Sequence, residues 1–327
     1  MSLHSFRLLR PQTLHEAIAL MAKHEGEVRI VAGGTDLLPS MKQKLFAPPY
    51  VLDLRGISEL HGIRSTPGNG VEIGALTTLS AIEHSALIRN DYPVLHEAAR
   101  TVASPVIRNM GTIGGNLCLD TRCLWYNQSL LWRKSCGFCL KKDGDLCHVA
   151  PGGTFCWATF SGDTPPALLC LGAEIEIAGP DGIRRTPLSE FYVNDGIIRL
   201  RLAPSEIVTH VRLARSSAGW RGSYQKLRVR GSIDYPLAGV AVALKLRSGR
   251  IEDARVAITA VNPAPLLVKN ADAQLVGTVP NEELAERIGD LAASTAKPLT
   301  TSALTPEYRR EMVRVFAKRA VLACLNS

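Results

Sequence analysis

The sequence has no uninterrupted apolar run of membrane-spanning length. Its best candidate, Leu237 to Leu246, is interrupted by Gly239 and Lys245, whereas a membrane-spanning helix needs about 20 apolar residues in a row. The N-terminal segment contains Glu16 and lacks the apolar core of a secretory signal. We therefore expect a soluble, cytoplasmic protein with no membrane partner.

Several nucleotide-binding signatures are also missing. The sequence has neither the Gly-x-Gly-x-x-Gly dinucleotide fingerprint nor the Gly-Lys-Ser/Thr of a nucleotide triphosphatase, and it has no internal repeat or low-complexity segment. The formal net charge is +8, but the Lys and Arg residues are scattered, and the densest group, Arg221 to Arg230, is broken by apolar residues. This pattern favours a solvated or subunit-facing basic surface over a nucleic-acid partner.

Length and composition predict two domains with separate cores. The chain has 327 residues, of which 46% are hydrophobic, and this is enough for one large and one smaller domain. Short strands alternate with helices in the first half, so the fold class is α/β or α+β. The most linker-like run in the second half is Ser216 to Gly219, which indicates a first domain at 1–217 and a C-terminal domain at 218–327.

The hydrophobic pattern locates several elements. Thr13 and Glu16 form a capping box for a helix within Pro11 to His24. The other clear helices are predicted at Pro93 to Ala103 and Pro306 to Leu325. The clear strands are predicted at Val28 to Ala32, Tyr50 to Leu54, Val71 to Leu76, Thr186 to Phe191 and Leu237 to Leu246. A turn is predicted at Pro67 to Gly70.

Two glycine-rich turns are the first candidate binding features. They comprise Ile30, Val31, Ala32, Gly33, Gly34, Thr35, Asp36 and Leu37, and Gly111, Thr112, Ile113, Gly114, Gly115 and Asn116. Each alone is more typical of an ordinary turn. Together they could hold a dinucleotide pyrophosphate, because such turns offer backbone N–H donors and allow close approach. Asn116 and Asp163 could add side-chain contacts to a ribose or ribityl chain.

Five of the eight cysteines are crowded into one segment, at Cys123, Cys136, Cys139, Cys147 and Cys156. In a reducing compartment such a group indicates metal ligands rather than disulfides. The spacing of Cys136 and Cys139 fits zinc and iron–sulfur equally well, and buried inert thiols are the simpler alternative. His148 is treated as a loop residue. The remaining cysteines lie on apolar segments and are predicted to be packing residues: Cys118, Cys170 and Cys324.

The segments Ile30 to Leu37, Ile73 to Thr78 and Gly111 to Asn116, in that order, resemble the FAD-binding medium subunit of the xanthine oxidase, or molybdenum hydroxylase, family. Tyr224 to Leu227 resembles the start of that family's C-terminal domain. The resemblance covers nearly the whole chain. It implies a two-part FAD-binding domain of the vanillyl-alcohol oxidase type, at about 1–58 and 59–217, followed by a smaller C-terminal α/β domain.

The resemblance also implies the cofactor and the partners. FAD would place its pyrophosphate between the backbone at Ala32 to Asp36 and that at Thr112 to Gly115, with Asp163 and Lys226 as further contacts. A large subunit with the molybdenum cofactor and a small subunit with [2Fe-2S] clusters would complete an oligomer such as a dimer of heterotrimers. No catalytic acid or base is expected on this chain.

One departure from the family pattern is an insertion at about 120–157. In ordinary members the Gly-Gly-Asn turn runs within a few residues into a segment like Ser161 to Leu168. A cysteine-bearing insertion here resembles that of 4-hydroxybenzoyl-CoA reductases, whose medium subunit holds a [4Fe-4S] cluster. The resemblance assigns the cluster ligands to Cys123, Cys139, Cys147 and Cys156, with Cys136 as the alternate.

This resemblance implies an electron-transfer role in the degradation of aromatic compounds. Electrons from a ferredoxin-type donor would reach FAD through the cluster and continue to the partner subunits, where 4-hydroxybenzoyl-CoA is reductively dehydroxylated to benzoyl-CoA. Two other interpretations are open. One is an ordinary molybdenum hydroxylase medium subunit with a structural zinc loop, and the other is a nonredox basic binding module.

Overall fold

The structure is a computed structural model that describes residues 2–66, 68 and 70–326. The turn predicted at Pro67 to Gly70 includes Pro67 and Asn69, which lie outside the described residues. No helix in the described part of the chain combines the length and apolar character that crossing a bilayer requires.

A three-stranded parallel sheet, with strand order β1-β3-β2, forms the N-terminal part. Its elements are β1 (Arg7–Leu9), α1 (Leu14–Lys23), β2 (Val28–Val31), α2 (Leu37–Lys42) and β3 (Tyr50–Asp53). Helix α1 begins where the sequence predicts a cap, since the Thr13 hydroxyl accepts the N–H of Glu16 at 3.1 Å. The chain leaves the sheet at Val31 and enters the first glycine turn before α2 begins.

The second part contains a five-stranded antiparallel sheet with strand order β4-β5-β8-β6-β7. Its elements are β4 (Ile63–Thr66), β5 (Gly70–Gly74), α3 (Leu79–His84), α4 (Ala86–Asp91), α5 (Pro93–Thr101), α6 (Pro105–Arg108), α7 (Ile113–Leu117), α8 (Leu130–Ser135), α9 (Thr164–Cys170), β6 (Glu174–Gly179), β7 (Gly182–Pro187), α10 (Leu188–Phe191) and β8 (Ile207–Leu213). Short 3-10 helices lie at Leu54–Gly56, Ser58–Leu60 and Arg215–Ser217.

One strand prediction is wrong. The segment from Thr186 to Phe191 was expected to be extended, but β7 ends at Pro187 and a helical turn follows. Proline has no N–H to continue a ladder, and Leu188 and Phe191 are both buried at the three-residue spacing of a helix face.

The C-terminal domain is a four-stranded antiparallel sheet, ordered β12-β11-β10-β9, with helices on one face. Its elements are β9 (Arg221–Leu227), β10 (Ala238–Arg247), β11 (Arg250–Thr259), β12 (Leu266–Leu267), α11 (Ala271–Leu275), α12 (Glu282–Thr295) and α13 (Pro306–Asn326). Along β10, Val240 and Val242 pack against α12 and α13, whereas the smaller Ala241 and Ala243 face the second part. This alternation lets one sheet join two cores.

Candidate functional site

A large cavity lies where the N-terminal part, the second part and the C-terminal domain meet. Its volume is about 890 Å³. All of the predicted first turn, Ile30 to Leu37, lines it, as do Gly111 and Thr112 and the run from Gly114 to Asn116. Ile113 does not line the cavity, because its side chain is fully buried in the hydrophobic core. The fold therefore brings both glycine turns to one site.

The first turn presents backbone donors to this cavity. The N–H groups of Gly33, Gly34, Thr35 and Asp36 donate to no acceptor within the described residues. These four residues lie between the end of β2 and the start of α2, so neither the strand nor the helix supplies partners for their N–H groups. Such a row of unpaired donors suits an anionic group such as a phosphate.

The two turns touch each other at Gly33. A Cβ atom at this position would lie 1.9 Å from the carbonyl oxygen of Met110 and 3.1 Å from the Cα of Gly111. Any side chain at Gly33 would therefore push the two turns apart. Glycine is needed at position 33 because the two turns approach each other closely there. The backbone conformation does not require it, since Gly33 is not among the glycines with positive φ.

The second turn offers fewer free donors than the sequence suggests. Thr112 caps the short helix α7, and its hydroxyl accepts the N–H of Gly115 at 3.1 Å. The N–H of Ile113 donates to Thr77 and that of Gly114 to Ala75, at 3.0 and 2.9 Å. Most of the expected donors are thus used inside the protein, because α7 is anchored to the segment after β5. The N–H of Thr112 donates to no acceptor within the described residues, so the second turn brings one free donor to the cavity.

Asp163 lines the cavity, but Lys226 lies behind it. The Lys226 Nζ is 3.0 Å from the Asp163 Oδ2 and donates also to the Thr101 carbonyl at 2.9 Å, and the Tyr224 hydroxyl donates to the Asp163 Oδ1 at 2.8 Å. Burial raises the pKa of Asp163, while Lys226 and Tyr224 act in the opposite direction. Lys226 therefore orients Asp163 and is not among the residues that line the cavity.

Asn116 links the second glycine turn to the residues that follow the cysteine-rich segment. Its Oδ1 accepts from the Thr164 N–H at 3.1 Å and from the Thr164 hydroxyl at 2.7 Å. This contact ties the second glycine turn to the start of α9, immediately after Asp163. The side chain lines the cavity, although its carbonyl oxygen already holds protein donors.

A contact among three residues that the sequence did not reveal closes one side of the cavity. The Arg122 guanidinium is 3.2 Å from the Asp36 carboxylate and lies 4.1 Å from the centre of the Tyr235 ring. The Tyr235 hydroxyl donates to the same Asp36 oxygen at 3.0 Å. Burial raises the pKa of Asp36, and Arg122 opposes that effect. The first glycine turn, the insertion and the C-terminal domain are joined at this point.

Four of the five insertion cysteines surround a second, small cavity. Cys123, Cys139, Cys147 and Cys156 line a space of about 20 Å³. Cys136 is not among the lining residues and lies just after α8. Burial raises the pKa of Cys123 to about 11 and that of Cys156 to about 12. None of the eight cysteines forms a disulfide.

Local hydrogen bonds shape the loop around these thiols. Cys139 and Lys142 exchange backbone hydrogen bonds in a tight turn, at 3.3 and 2.8 Å. The N–H of Ala158 donates to the Cys156 Sγ at 3.4 Å, which is a contact that tunes thiolate ligands of iron–sulfur clusters. His148, which the sequence left as a loop residue, lines the small cavity and stacks on Trp125 with ring centres 4.3 Å apart.

The number of thiols at the small cavity bears on the kind of metal centre. Among the described residues, no group of three or more His, Cys, Asp or Glu side chains is placed to hold a metal ion. Four cysteines nevertheless line one cavity. Four thiolate ligands are the donor set of both zinc and iron–sulfur centres.

The sequence matches two protein-family models, and both matches cover residues that enclose the large cavity. Residues 4–215 match the FAD binding domain in molybdopterin dehydrogenase. Residues 222–324 match the CO dehydrogenase flavoprotein C-terminal domain. Both matches lie on the parts that enclose the cavity, so the nonredox binding module is not supported.

Individual relatives and solved structures cover almost the entire chain. The carbon monoxide dehydrogenase medium chain of Afipia carboxidovorans is 32% identical over 317 residues, which are 97% of this chain and 96% of the relative. The glyceraldehyde dehydrogenase medium chain of Sulfolobus acidocaldarius is 28% identical, with 96% of each chain covered. The crystal structure of the cyanide-inactivated Cu,Mo-CO dehydrogenase superposes with a TM-score of 0.83 at 30% identity, with 100% of both chains covered. The chain therefore belongs to the family of FAD-binding medium subunits of the molybdenum hydroxylases, of the CO dehydrogenase type.

Proposed function

We propose that this medium subunit carries two redox centres, FAD in the large cavity and a [4Fe-4S] cluster in the insertion at 120–157. The observation that carries the proposal is the adjacency of the two cavities. One is lined by the two glycine turns and the other by four cysteine thiols. FAD supplies one- and two-electron transfer when it is bound, and the chain contributes binding and electrostatics.

The residues toward FAD have separate roles in this proposal. The N–H groups of Gly33 to Asp36 would hold the pyrophosphate, since they form a row of unpaired donors at the cavity, and the unpaired N–H of Thr112 lies on the second turn. The second turn, Gly111 to Asn116, packs its backbone against the opposite side. Asp163, oriented by Lys226 and Tyr224, accepts a hydrogen bond from a hydroxyl or ring N–H of the cofactor.

The cluster assignment rests on the four thiols that share the small cavity. We assign the ligands to Cys123, Cys139, Cys147 and Cys156, and we leave Cys136 out because it does not line that cavity. Cluster ligation needs four convergent thiolates. Burial alone disfavours the charged thiolates of Cys123 and Cys156, and bound iron compensates for that cost.

The complete enzyme in this proposal is reductive. A large molybdenum subunit and a small [2Fe-2S] subunit join this chain in a heterotrimer, and the heterotrimer dimerises. A ferredoxin-type protein donates electrons, and the partner's molybdenum site removes the phenolic hydroxyl of 4-hydroxybenzoyl-CoA. The insertion and its thiols support this direction, because a further iron–sulfur centre beside the flavin suits exchange with an iron–sulfur donor.

A second candidate is an oxidative hydroxylase with the same subunits. The relatives support it, since they include medium subunits of carbon monoxide, glyceraldehyde and nicotinate dehydrogenases. In that case the insertion stiffens a subunit contact. The domain limits at 217 and 218 are common to both proposals.

Cofactor analysis of the purified native complex tests the proposal. FAD, iron, acid-labile sulfide and zinc are measured per complex, and the iron beyond that of the [2Fe-2S] subunit is assigned to this chain. We expect one FAD and one additional [4Fe-4S] cluster per medium subunit. Zinc without additional sulfide would favour the second candidate. The same preparation is then assayed for dehydroxylation of 4-hydroxybenzoyl-CoA with reduced ferredoxin. Activity would support the reductive enzyme, and no activity would favour the oxidative hydroxylase.

A further inference from the structure

Two side chains form a common wall between the large cavity and the thiol cavity. Among the described residues, Tyr126 and Lys141 are the ones that line both. Tyr126 is 2% exposed, and the Lys141 side chain is 7% exposed. An aromatic ring and a buried ammonium group therefore lie between the large cavity and the thiol cavity.

Several contacts fix the position of the Lys141 ammonium. Its Nζ is 2.9 Å from the Asp120 Oδ1 and 2.9 Å from the Thr121 carbonyl oxygen, and it also contacts the Thr121 hydroxyl. It lies 4.4 Å from the centre of the Tyr126 ring, whose hydroxyl donates to the Asp120 Oδ2 at 3.0 Å. The positive charge is thus held in one place by an anion, an aromatic face and neutral acceptors.

The charge of Lys141 reaches the thiols. Lys141 lines the same small cavity as the four thiols, Cys123, Cys139, Cys147 and Cys156. A fixed positive charge in a region of low dielectric stabilises any added negative charge nearby, and reduction of an iron–sulfur cluster adds one negative charge. Asp120 offsets part of this effect, although its negative charge is shared with Arg199 at 3.9 Å.

We propose that Lys141, held by Asp120 and Tyr126, raises the reduction potential of the cluster in the thiol cavity and so sets the driving force for electron exchange with the flavin across the wall. This inference rests on the proposed function, because it requires a cluster at the four thiols. It assigns Lys141 a positioning and electrostatic role, with no covalent step.

Redox titration of the intact complex, followed by EPR spectroscopy, tests the proposal with charge-changing variants. In Lys141→Met we expect the equilibrium constant for cluster reduction to fall at least tenfold, which is about 59 mV for a one-electron couple. Asp120→Asn should shift the potential in the opposite direction, because it removes the compensating anion. Lys141→Arg retains the charge and should keep most of the original potential.

Lys142→Met is the matched control. Lys142 is the next residue, but its side chain is 37% exposed and its Nζ pairs with Asp143 at 3.1 Å. Solvent screens such a charge, so the expected change is less than about twofold. A similar shift in Lys141→Met and Lys142→Met would overturn the proposal.

Other outcomes are equally decisive. An unchanged potential in an iron-loaded Lys141→Met complex, or an equal shift in Lys141→Arg, would refute the role of the charge. If Lys141→Met loses its iron, Asp120→Asn decides. Its potential should rise above that of the unaltered complex, whereas Lys141→Arg should stay near it, and an unchanged or lower potential in Asp120→Asn would refute the role of the charge. Absence of extra iron and sulfide from the unaltered complex would refute the proposed function itself, before any variant is made.

Discussion

Replacing Gly33 by alanine should weaken FAD binding, because Gly33 is where the two glycine turns touch. The added Cβ would lie 1.9 Å from the Met110 carbonyl oxygen, whereas real Cβ atoms essentially never come within 3.0 Å of such a neighbour. One turn must therefore retreat by roughly 1 Å, which is the difference of those two distances. Overpacking of this kind costs about 1–3 kcal/mol. If that cost falls on the FAD-bound arrangement, the dissociation constant rises about 5- to 150-fold.

Flavin fluorescence measures this change directly. The released FAD of the purified complex is titrated back, and the dissociation constant of Gly33→Ala is compared with that of Gly152→Ala. Gly152 is a suitable control, because its added Cβ would meet no atom within 4 Å and its backbone is not left-handed. A Gly33→Ala complex that binds FAD as tightly as the control would refute the contact between the turns.

Three further predictions concern stability, measured as the free energy of unfolding in urea. Asp163 and Lys226 form a buried ion pair whose side chains are 3% exposed. Asp163→Asn or Lys226→Met leaves the other charge without its partner, so each should cost about 3–5 kcal/mol of unfolding free energy. The double variant should cost less than the sum of the two single variants. The hydrogen bond from Arg55 holds the pKa of Asp53 below its usual value. Ionised Asp53 therefore stabilises the fold at pH values above its pKa in the unfolded chain, about 3.9, and this stabilisation is lost as pH falls through its lower pKa in the folded protein. Asp53→Asn should accordingly flatten the acid decline of stability, and an unchanged decline would contradict this. Arg309→Met removes the hydrogen bonds from Arg309 to the carbonyl oxygens of Leu237, Leu299 and Ala260, of which Leu299 keeps another donor, Thr301. A loss of stability under about 1 kcal/mol would contradict the importance of these bonds.

Much of the site could be predicted from the sequence, because its parts are contiguous. Glycines after a buried strand mark a backbone turn open to a ligand, and Ile30 to Leu37 does line the large cavity. The apolar run Leu237 to Leu246 likewise predicts a buried strand, and β10 (Ala238–Arg247) confirms it. Local signals of this kind depend on few neighbours, so tertiary structure rarely overrides them.

Other features depend on residues that are distant in sequence. The contact of Asp36 with Tyr235 spans 199 residues, and no local pattern marks it. The same is true of the second glycine turn, where the N–H groups of Ile113 and Gly114 donate to the carbonyl oxygens of Thr77 and Ala75. His148 directly follows Cys147 and so could be a ligand, but the sequence alone favours a loop residue because that is the commoner role of such a histidine. The structure places it at the thiol cavity.

The proposed iron–sulfur centre beside the flavin is tested most directly by the iron and acid-labile sulfide content of the intact complex with Cys139→Ser, compared with Cys136→Ser. Cys139 lines the thiol cavity and Cys136 does not, so Cys139→Ser should lose four iron atoms and four sulfides per medium subunit while it keeps FAD. Cys136→Ser should keep all of them. Loss in Cys136→Ser with retention in Cys139→Ser would contradict the account.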